Sequence, residues 1–202
     1  MSGIPVVAMA SGAGTLFQAL VDASQSEDYP AQIVGLVTDR PGCGAEQRAI
    51  SAGMPVVTVD PRNYSSRAQW NADVAAATAE LAPDWLVSAG FMRVLGAEFL
   101  ERFPGRIINS HPSLLPAFPG ARAVPEALDY GVHITGCTIH IVDAGIDSGP
   151  ILAQAPVRVI EGDDADTLHE RIKTVERELL VTVLAKLATT GYSLDGRKAA
   201  LS

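Results

Sequence analysis

The sequence predicts an α/β fold: a Rossmann-like, mostly parallel central sheet flanked by helices, with an antiparallel strand pair near the C-terminus. Three patterns carry that expectation. From Ile4 to Ile108 short apolar runs alternate with helical stretches, as a parallel sheet covered on both faces requires. The small-residue loop Ser11-Gly12-Ala13-Gly14-Thr15 joins the first run directly to a helix, the turn that opens a doubly wound sheet. Near the other end, residues 132–142 and 150–159 are β-branched stretches on either side of a glycine-bearing turn, the pattern of paired antiparallel strands.

In chain order, Ile4-Pro5-Val6-Val7-Ala8-Met9-Ala10 is short, has no basic leader and runs into the glycine loop. It reads as a buried strand and not as a signal peptide. A helical pattern starts at Leu16, with Ala19, Leu20 and Ala23 on one face. The glycines before it let backbone N–H groups approach a ligand, and the helix start adds partial positive charge, so the loop is a candidate anion cradle. A glycine turn here also serves many doubly wound proteins merely to fold the chain. Residues 32–38 read as a strand, 45–52 as a helix closed by Gly53, and 55–59 as a strand. A helix over 66–81, with Trp70, Val74, Ala77 and Leu81 as its apolar stripe, ends before Pro83. A strand at 85–89 leads through Gly90-Phe91-Met92-Arg93-Val94-Leu95 to a short helix at 97–103 and a strand at 106–108. Residues 112–122 form a loop long enough for a lid, and 124–130 a short helix. The last helix follows Asp163 and Asp164 to about residue 189, with Leu168, Ile172, Val175, Leu179, Val183 and Leu187 as its stripe. Residues 191–202 read as a polar, loosely held tail.

The 202 residues, 48% apolar and 19% charged, suit a single domain with a substantial core. Within it, 1–108 is a βα nucleotide-binding half, 109–190 a half that carries the chemistry, and 191–202 the tail. A formal net charge of -8 argues against non-specific nucleic-acid binding but leaves small anionic substrates open. Cys43 and Cys137 have no pairing pattern, so neither a disulfide scaffold nor a zinc site is expected, and a reducing cytoplasm fits. No run approaches the ~18 apolar residues of a membrane span. A homodimer is compatible with the chain, although no segment marks an interface.

Ligands of such sheets lie outside the carboxyl ends of the strands. That rule collects the Ser11 to Thr15 loop, the Gly90 to Leu95 turn and the pair Asn109 and His111. Positions two apart on a strand face one side, and Pro112 keeps His111 extended, so an amide and an imidazole point together. They suit a site that grips an oxygen atom gaining charge. Asp147, between Gly145 and Gly149, could share protons with His111 if its turn folds back; Asp143 suits the plainer role of capping that turn. His140 lies within a strand, as a structural residue or a site-lining one, and His133 and His169 take surface positions. No zinc-ligand spacing and no Gly-x-Ser-x-Gly elbow occurs.

The motif Asn109-x-His111-Pro112-Ser113-Leu114-Leu115-Pro116, with Asp147-x-Gly149-Pro150 downstream, resembles the signature of the folate-dependent formyltransferases. Ser11-Gly12-x-Gly14, Ala89-Gly90-Phe91-Met92-Arg93 and Glu176 also fall where that family places them, and the likeness covers nearly the full chain. It is similar to the branch acting on glycinamide ribonucleotide in purine biosynthesis. The resemblance implies formyl transfer from 10-formyltetrahydrofolate, as co-substrate, to the amine of that ribonucleotide, with no metal. Asn109 and His111 would stabilise the oxyanion, and Asp147 would orient and charge His111. Gly12, Ala13, Gly14, Thr15 and Leu16 would hold the ribonucleotide phosphate, and Glu176 its ribose or glycinamide end. Arg93 and Arg67 would meet the folate's glutamate carboxylates. Met92, Val94, Leu95, Asn109, His140, Ile141, Asp143 and Asp147 would line the rest of the folate pocket.

Departures from the family pattern touch ligand contacts only. Ala13 and Leu16 replace a frequent asparagine, Lys173 a frequent glutamine, which it could offset with charge, and Arg122 an occasional histidine. Family rivals are transfer to methionyl-tRNA or an amino sugar, and hydrolysis of formyltetrahydrofolate. Those relatives carry a further C-terminal or N-terminal domain, so the expectation here is the single-domain branch. A non-catalytic or dehydrogenase-type nucleotide-binding module is the rival from another class; Phe17 at the third glycine position of the dinucleotide fingerprint argues against it.

Overall fold

Val6, Val7, Ala8 and Met9 have no exposed surface, which is what makes β1 (Ile4–Met9) a central strand. The computed structural model describes residues 3–201 and forms two units, one ending at Asn109 and the other beginning at Ser110.

In the first unit β1 is followed by α1 (Thr15–Ser24), β2 (Ala31–Thr38), α2 (Gly44–Ser51), β3 (Val56–Thr58), α3 (Arg67–Glu80), β4 (Trp85–Ser88), α4 (Ala97–Arg102) and the start of β5 (Ile107–His111). The strands run parallel in the order β3-β2-β1-β4-β5. The crossover at β1 puts the α1 loop and the turn after β4 side by side at carboxyl ends. α1 buries Leu16, Phe17, Leu20 and Val21, not the expected Ala19 and Ala23. The bulkier side chains withdraw more apolar surface from water and so set the helix's rotation. In α3 the buried face is Trp70, Val74, Ala75 and Thr78, and Leu81 becomes the C-cap. Thr78 can enter the core because its hydroxyl donates to the Val74 carbonyl at 2.6 Å, and Trp70 Nε1 is satisfied by the Val59 carbonyl at 2.8 Å.

The second unit contains α5 (Ala123–Tyr130), β6 (Ile134–Ile141), β7 (Ile151–Arg158), α6 (Ala165–Thr190) and two short strands, β8 (Tyr192–Asp195) and β9 (Lys198–Leu201). β6 and β7 pair antiparallel as expected, with the register slipping from Ile139↔Ala153 to His140↔Ile151 so that Leu152 is the extra residue. Such a bulge re-aims neighbouring side chains. β6 is buried at every position from Thr135 to Ile141, so it is covered on both faces. α6 starts with a capping box between Asp164 and Thr167. Arg171 grips Asp163 with two bonds of 2.7 and 2.8 Å, which hold that carboxyl down to about 2. Its buried stripe is Leu168, Ile172, Glu176, Leu180, Val183, Leu184 and Leu187; Val175 and Leu179 are only partly buried. Steps of four from Leu168 bring a carboxylate, Glu176, into the middle of an apolar face.

The tail expectation is overturned. Residues 192–201 form a hairpin closed at Asp195↔Lys198, with Gly196 at φ 60, and β9 packs on α6 and β7. The glycine of the two-residue turn Gly196-Arg197 was the available signal; Ser202 lies outside the described residues. Cys43 and Cys137 are free and buried, and burial pushes the Cys137 thiol up to about 12. No helix of the described residues is long and apolar enough to cross a membrane.

Candidate active site

The glycine loop of the first unit presents backbone. Gly14 is the N-cap of α1 at φ 74, with no side-chain cap, so the first amides of the helix face outward without an intramolecular cap. A side chain at Gly14 would put its Cβ 2.6 Å from the Ala45 Cα. The loop is tied to α2 by Ala45 N–H donating to the Gly12 carbonyl at 3.0 Å and by Arg48 Nε donating to the Ala13 carbonyl at 2.9 Å. The Ala13 side chain is exposed, Thr15 is half-buried and the Leu16 side chain is buried. Leu16 can therefore offer a ligand only its amide. The loop thus leads into a helix start whose N–H groups have the chemistry that suits an anion.

The turn after β4 is stapled beside it. Ser11 N–H donates to the Gly90 carbonyl at 3.1 Å, and Phe91 lies parallel to Trp70 with ring centroids 6.4 Å apart. Arg67 donates to the Val94 carbonyl at 2.5 Å and sits 4.9 Å over the Trp70 ring. Met92 and Val94, 72% and 58% exposed, thus project from a rigid turn, as a wall for a flat apolar ligand would. Leu95 is half-buried. Arg93 Nε donates to Asp39 Oδ2 at 2.7 Å.

Strand β5 ends with Asn109, half-buried and in register with Ser88, and His111, buried. In the second unit the His111 Nδ1 lies 3.3 Å from Asp147 Oδ2, and Nε2 lies 2.8 Å from the Phe118 carbonyl. Both ring nitrogens face acceptors, which only the doubly protonated ring satisfies together. The 112–122 segment is held in place. Thr138 Oγ donates to the Ser113 carbonyl at 2.7 Å and accepts from Leu115 N–H at 3.0 Å, and Gln154 donates to the Leu115 carbonyl at 2.8 Å.

Asp147 takes φ 49, a left-handed conformation that side chains rarely adopt and that clusters at functional sites. Its turn folds back because Gly149 lets the chain press against the Ile141 carbonyl, where a Cβ would collide. Asp143 caps the same turn, accepting from Ser148 Oγ at 2.7 Å and Gly145 N–H at 3.1 Å. Asp147 Oδ2 accepts from Gly120 N–H at 2.7 Å, and Oδ1 lies 3.6 Å from His140 Nε2. Burial pushes the Asp147 carboxyl up, but His140, the Gly120 N–H and the His111 charge outweigh it and hold it below the ordinary carboxylate range. His140 Nδ1 faces the Ile141 carbonyl at 2.9 Å, so His140 joins the Asp147 cluster while Ile141, buried, backs it.

Glu176, 3% exposed, accepts from Ser110 Oγ at 2.5 Å, and burial raises its carboxyl above the usual range. Lys173 pairs with Glu170 at 2.7 Å on the same helix, so its charge is already matched. Arg122 is the N-cap of α5. His133 is exposed, but His169 is half-buried and burial lowers its pKa, so only His133 keeps the expected surface character. Sequence reasoning missed Asp39, Ser110, the Phe118 carbonyl and the Gly120 amide. Asp39 follows the last residue of β2, a carboxyl-end position that the sheet rule alone could have marked.

The formyl transferase family model matches residues 5–184. Phosphoribosylglycinamide formyltransferase of Mycobacterium tuberculosis (strain CDC 1551 / Oshkosh) is 54% identical over 97% of this chain and 90% of its own. The protein of the same name from Bacillus subtilis (strain 168) is 36% identical over 94% of this chain and 96% of its own. A crystal structure of glycinamide ribonucleotide transformylase 1 from Symbiobacterium toebii superposes with a TM-score of 0.96 at 36% identity, covering 99% of this chain and 94% of that one. With the family model matching most of the chain and relatives this similar, the chain belongs to the formyl transferase family.

Proposed function

We propose that this protein transfers the formyl group of 10-formyltetrahydrofolate to the amine of glycinamide ribonucleotide, yielding formylglycinamide ribonucleotide and tetrahydrofolate in de novo purine biosynthesis. The observation that carries the reading is the contact of His111 with Asp147 at the end of β5, in a chain whose relatives bear that enzyme's name. The amine nitrogen attacks the formyl carbon, and the carbonyl electron pair moves onto oxygen. A cationic imidazole and the Asn109 amide complement that oxyanion. A proton then leaves the attacking nitrogen, N10 of the folate gains one, and the C–N10 bond breaks. Asp147 keeps His111 charged and fixed while this happens.

In this reading the α1 amides and Thr15 hold the ribonucleotide phosphate, with Glu176 on the ribose or glycinamide end. The Met92 to Leu95 turn, His140, Ile141 and the Asp143 to Asp147 turn receive the folate, and Arg93 and Arg67 its glutamate carboxylates. The reaction belongs to the cytoplasm, where the thiols stay reduced. Purified protein is expected to formylate glycinamide ribonucleotide without added metal and to leave methionyl-tRNA and amino sugars unmodified; activity confined to another amine would sink the substrate assignment.

The phosphate cradle has its own test. Gly14→Ala places a side chain at positive φ, costing about 1–2 kcal/mol, and drives it into Ala45. The expected result is a KM for the ribonucleotide raised about tenfold, equivalent to about 1.4 kcal/mol, with a smaller change for the folate. Equal changes in both constants would contradict the assignment of this loop.

A further inference from the structure

We propose that Asp39 is a positioning residue that couples the two ligand-holding segments of the first unit, so that phosphate bound at the glycine loop and folate seated on the 90–95 turn strengthen each other. The inference rests on the formyl-transfer reading above. Asp39 is 6% exposed and spends each carboxylate oxygen on a different segment. Oδ1 accepts from Ser11 Oγ at 2.5 Å, at the entrance of the glycine loop. Oδ2 accepts from Arg93 Nε at 2.7 Å, in the turn. Ser11 closes the circuit: its hydroxyl accepts from Met92 N–H at 2.9 Å, and its own N–H reaches the Gly90 carbonyl.

The donor and acceptor roles in this circuit are fixed. Arg93 can only donate, and the Met92 N–H can only donate, so the Ser11 hydroxyl must give its proton to Asp39. Only a group that accepts on both sides completes the arrangement, and a carboxylate is that group. Asparagine offers one acceptor and one donor, so Asp39→Asn turns a donor towards either Ser11 or Arg93 and breaks one arm. A shift of Ser11 with the glycine loop is then no longer transmitted through Asp39 to Arg93, and only the direct contacts of Ser11 with Met92 and Gly90 remain. Two segments that share a buried charged anchor order together, and a ligand that orders one lowers the cost of ordering the other. Linkage makes the effect reciprocal.

The test is calorimetric titration of 5-formyltetrahydrofolate into the full-length protein, free and saturated with glycinamide ribonucleotide. For the wild type, the ribonucleotide is expected to tighten folate binding about fivefold or more, within the usual range of coupling between sites. Asp39→Asn should reduce that ratio at least about twofold. It should also raise the folate KM while kcat at saturation stays within a few-fold, a split that general loosening of the fold does not produce. Ser11→Ala, which keeps the Arg93 pair, should lose the ratio with a smaller change in folate affinity, and it carries the test if Asp39→Asn fails to fold. A ratio of one in the wild type, or an unchanged ratio in the variants, overturns the coupling. Absence of binding by either ligand to the wild type would instead remove the function on which it rests.

Discussion

Replacing Asp147 by asparagine is expected to lower kcat by about ten-thousand-fold, the loss seen when the carboxylate that orients a catalytic histidine becomes an amide, with both KM values changed little. The asparagine keeps the shape of the side chain and can still accept from the Gly120 N–H, so the folded 143–149 turn survives. What disappears is the negative charge 3.3 Å from His111 Nδ1. Without it the ring has one charged acceptor fewer and can settle as a neutral tautomer, which offers the oxyanion no full positive charge. An effect confined to kcat marks an interaction made in the transition state. The pH dependence follows from the depressed Asp147 carboxyl. A carboxyl lowered in the folded state stays ionised through the ordinary carboxylate range, so its contribution to stability and to turnover is present above that range. Both are lost as pH falls through the depressed value. Wild-type kcat should therefore show no acid limb from Asp147 near pH 4 in stopped assays of the folded enzyme, and Asp147→Asn should remove the dependence at lower pH.

Asn109→Ala should cost about 10²–10³ in kcat, equivalent to about 3–4 kcal/mol, the usual worth of one preorganised oxyanion donor. The residue belongs to β5, paired at Ser88, and such a rigid strand aims a donor without reorganisation. The half-buried side chain leaves a small cavity when cut back, so the melting temperature should fall by only a few degrees. Combined with His111→Ala, the loss should be less than the product of the two single losses, because both serve one oxygen. Steady-state kinetics of the four proteins measure this; full multiplicativity would separate the roles of Asn109 and His111.

The sequence made the parallel layers legible because they depend on local apolar runs. β4 is buried end to end and β1 from Val6 to Met9, and such apolar runs have few destinations other than a sheet covered on both faces. Helix rotation was less legible, since it depends on what the helix meets: α1 turned its largest side chains inward, and α6 carried Glu176 into its buried stripe. Asn109, His111 and Asp147 stood out through their neighbours Pro112, Gly145 and Gly149, which constrain backbone in ways a sequence displays. The Asp39 circuit did not, because Ser11, Asp39 and Arg93 come from three loops and nothing local marks the aspartate as paired. The C-terminal hairpin was hidden by its polar composition, although Gly196 marked its two-residue turn, Gly196-Arg197.

The central claim is that the His111–Asp147 pair drives formyl transfer to glycinamide ribonucleotide. A single-turnover experiment with 10-formyltetrahydrofolate carrying a labelled formyl carbon, both substrates saturating, tests it directly. The wild type should move the label onto the glycinamide nitrogen, and Asp147→Asn should do so thousands of times more slowly. Label released as formate, or transferred by Asp147→Asn at the wild-type rate, would contradict it.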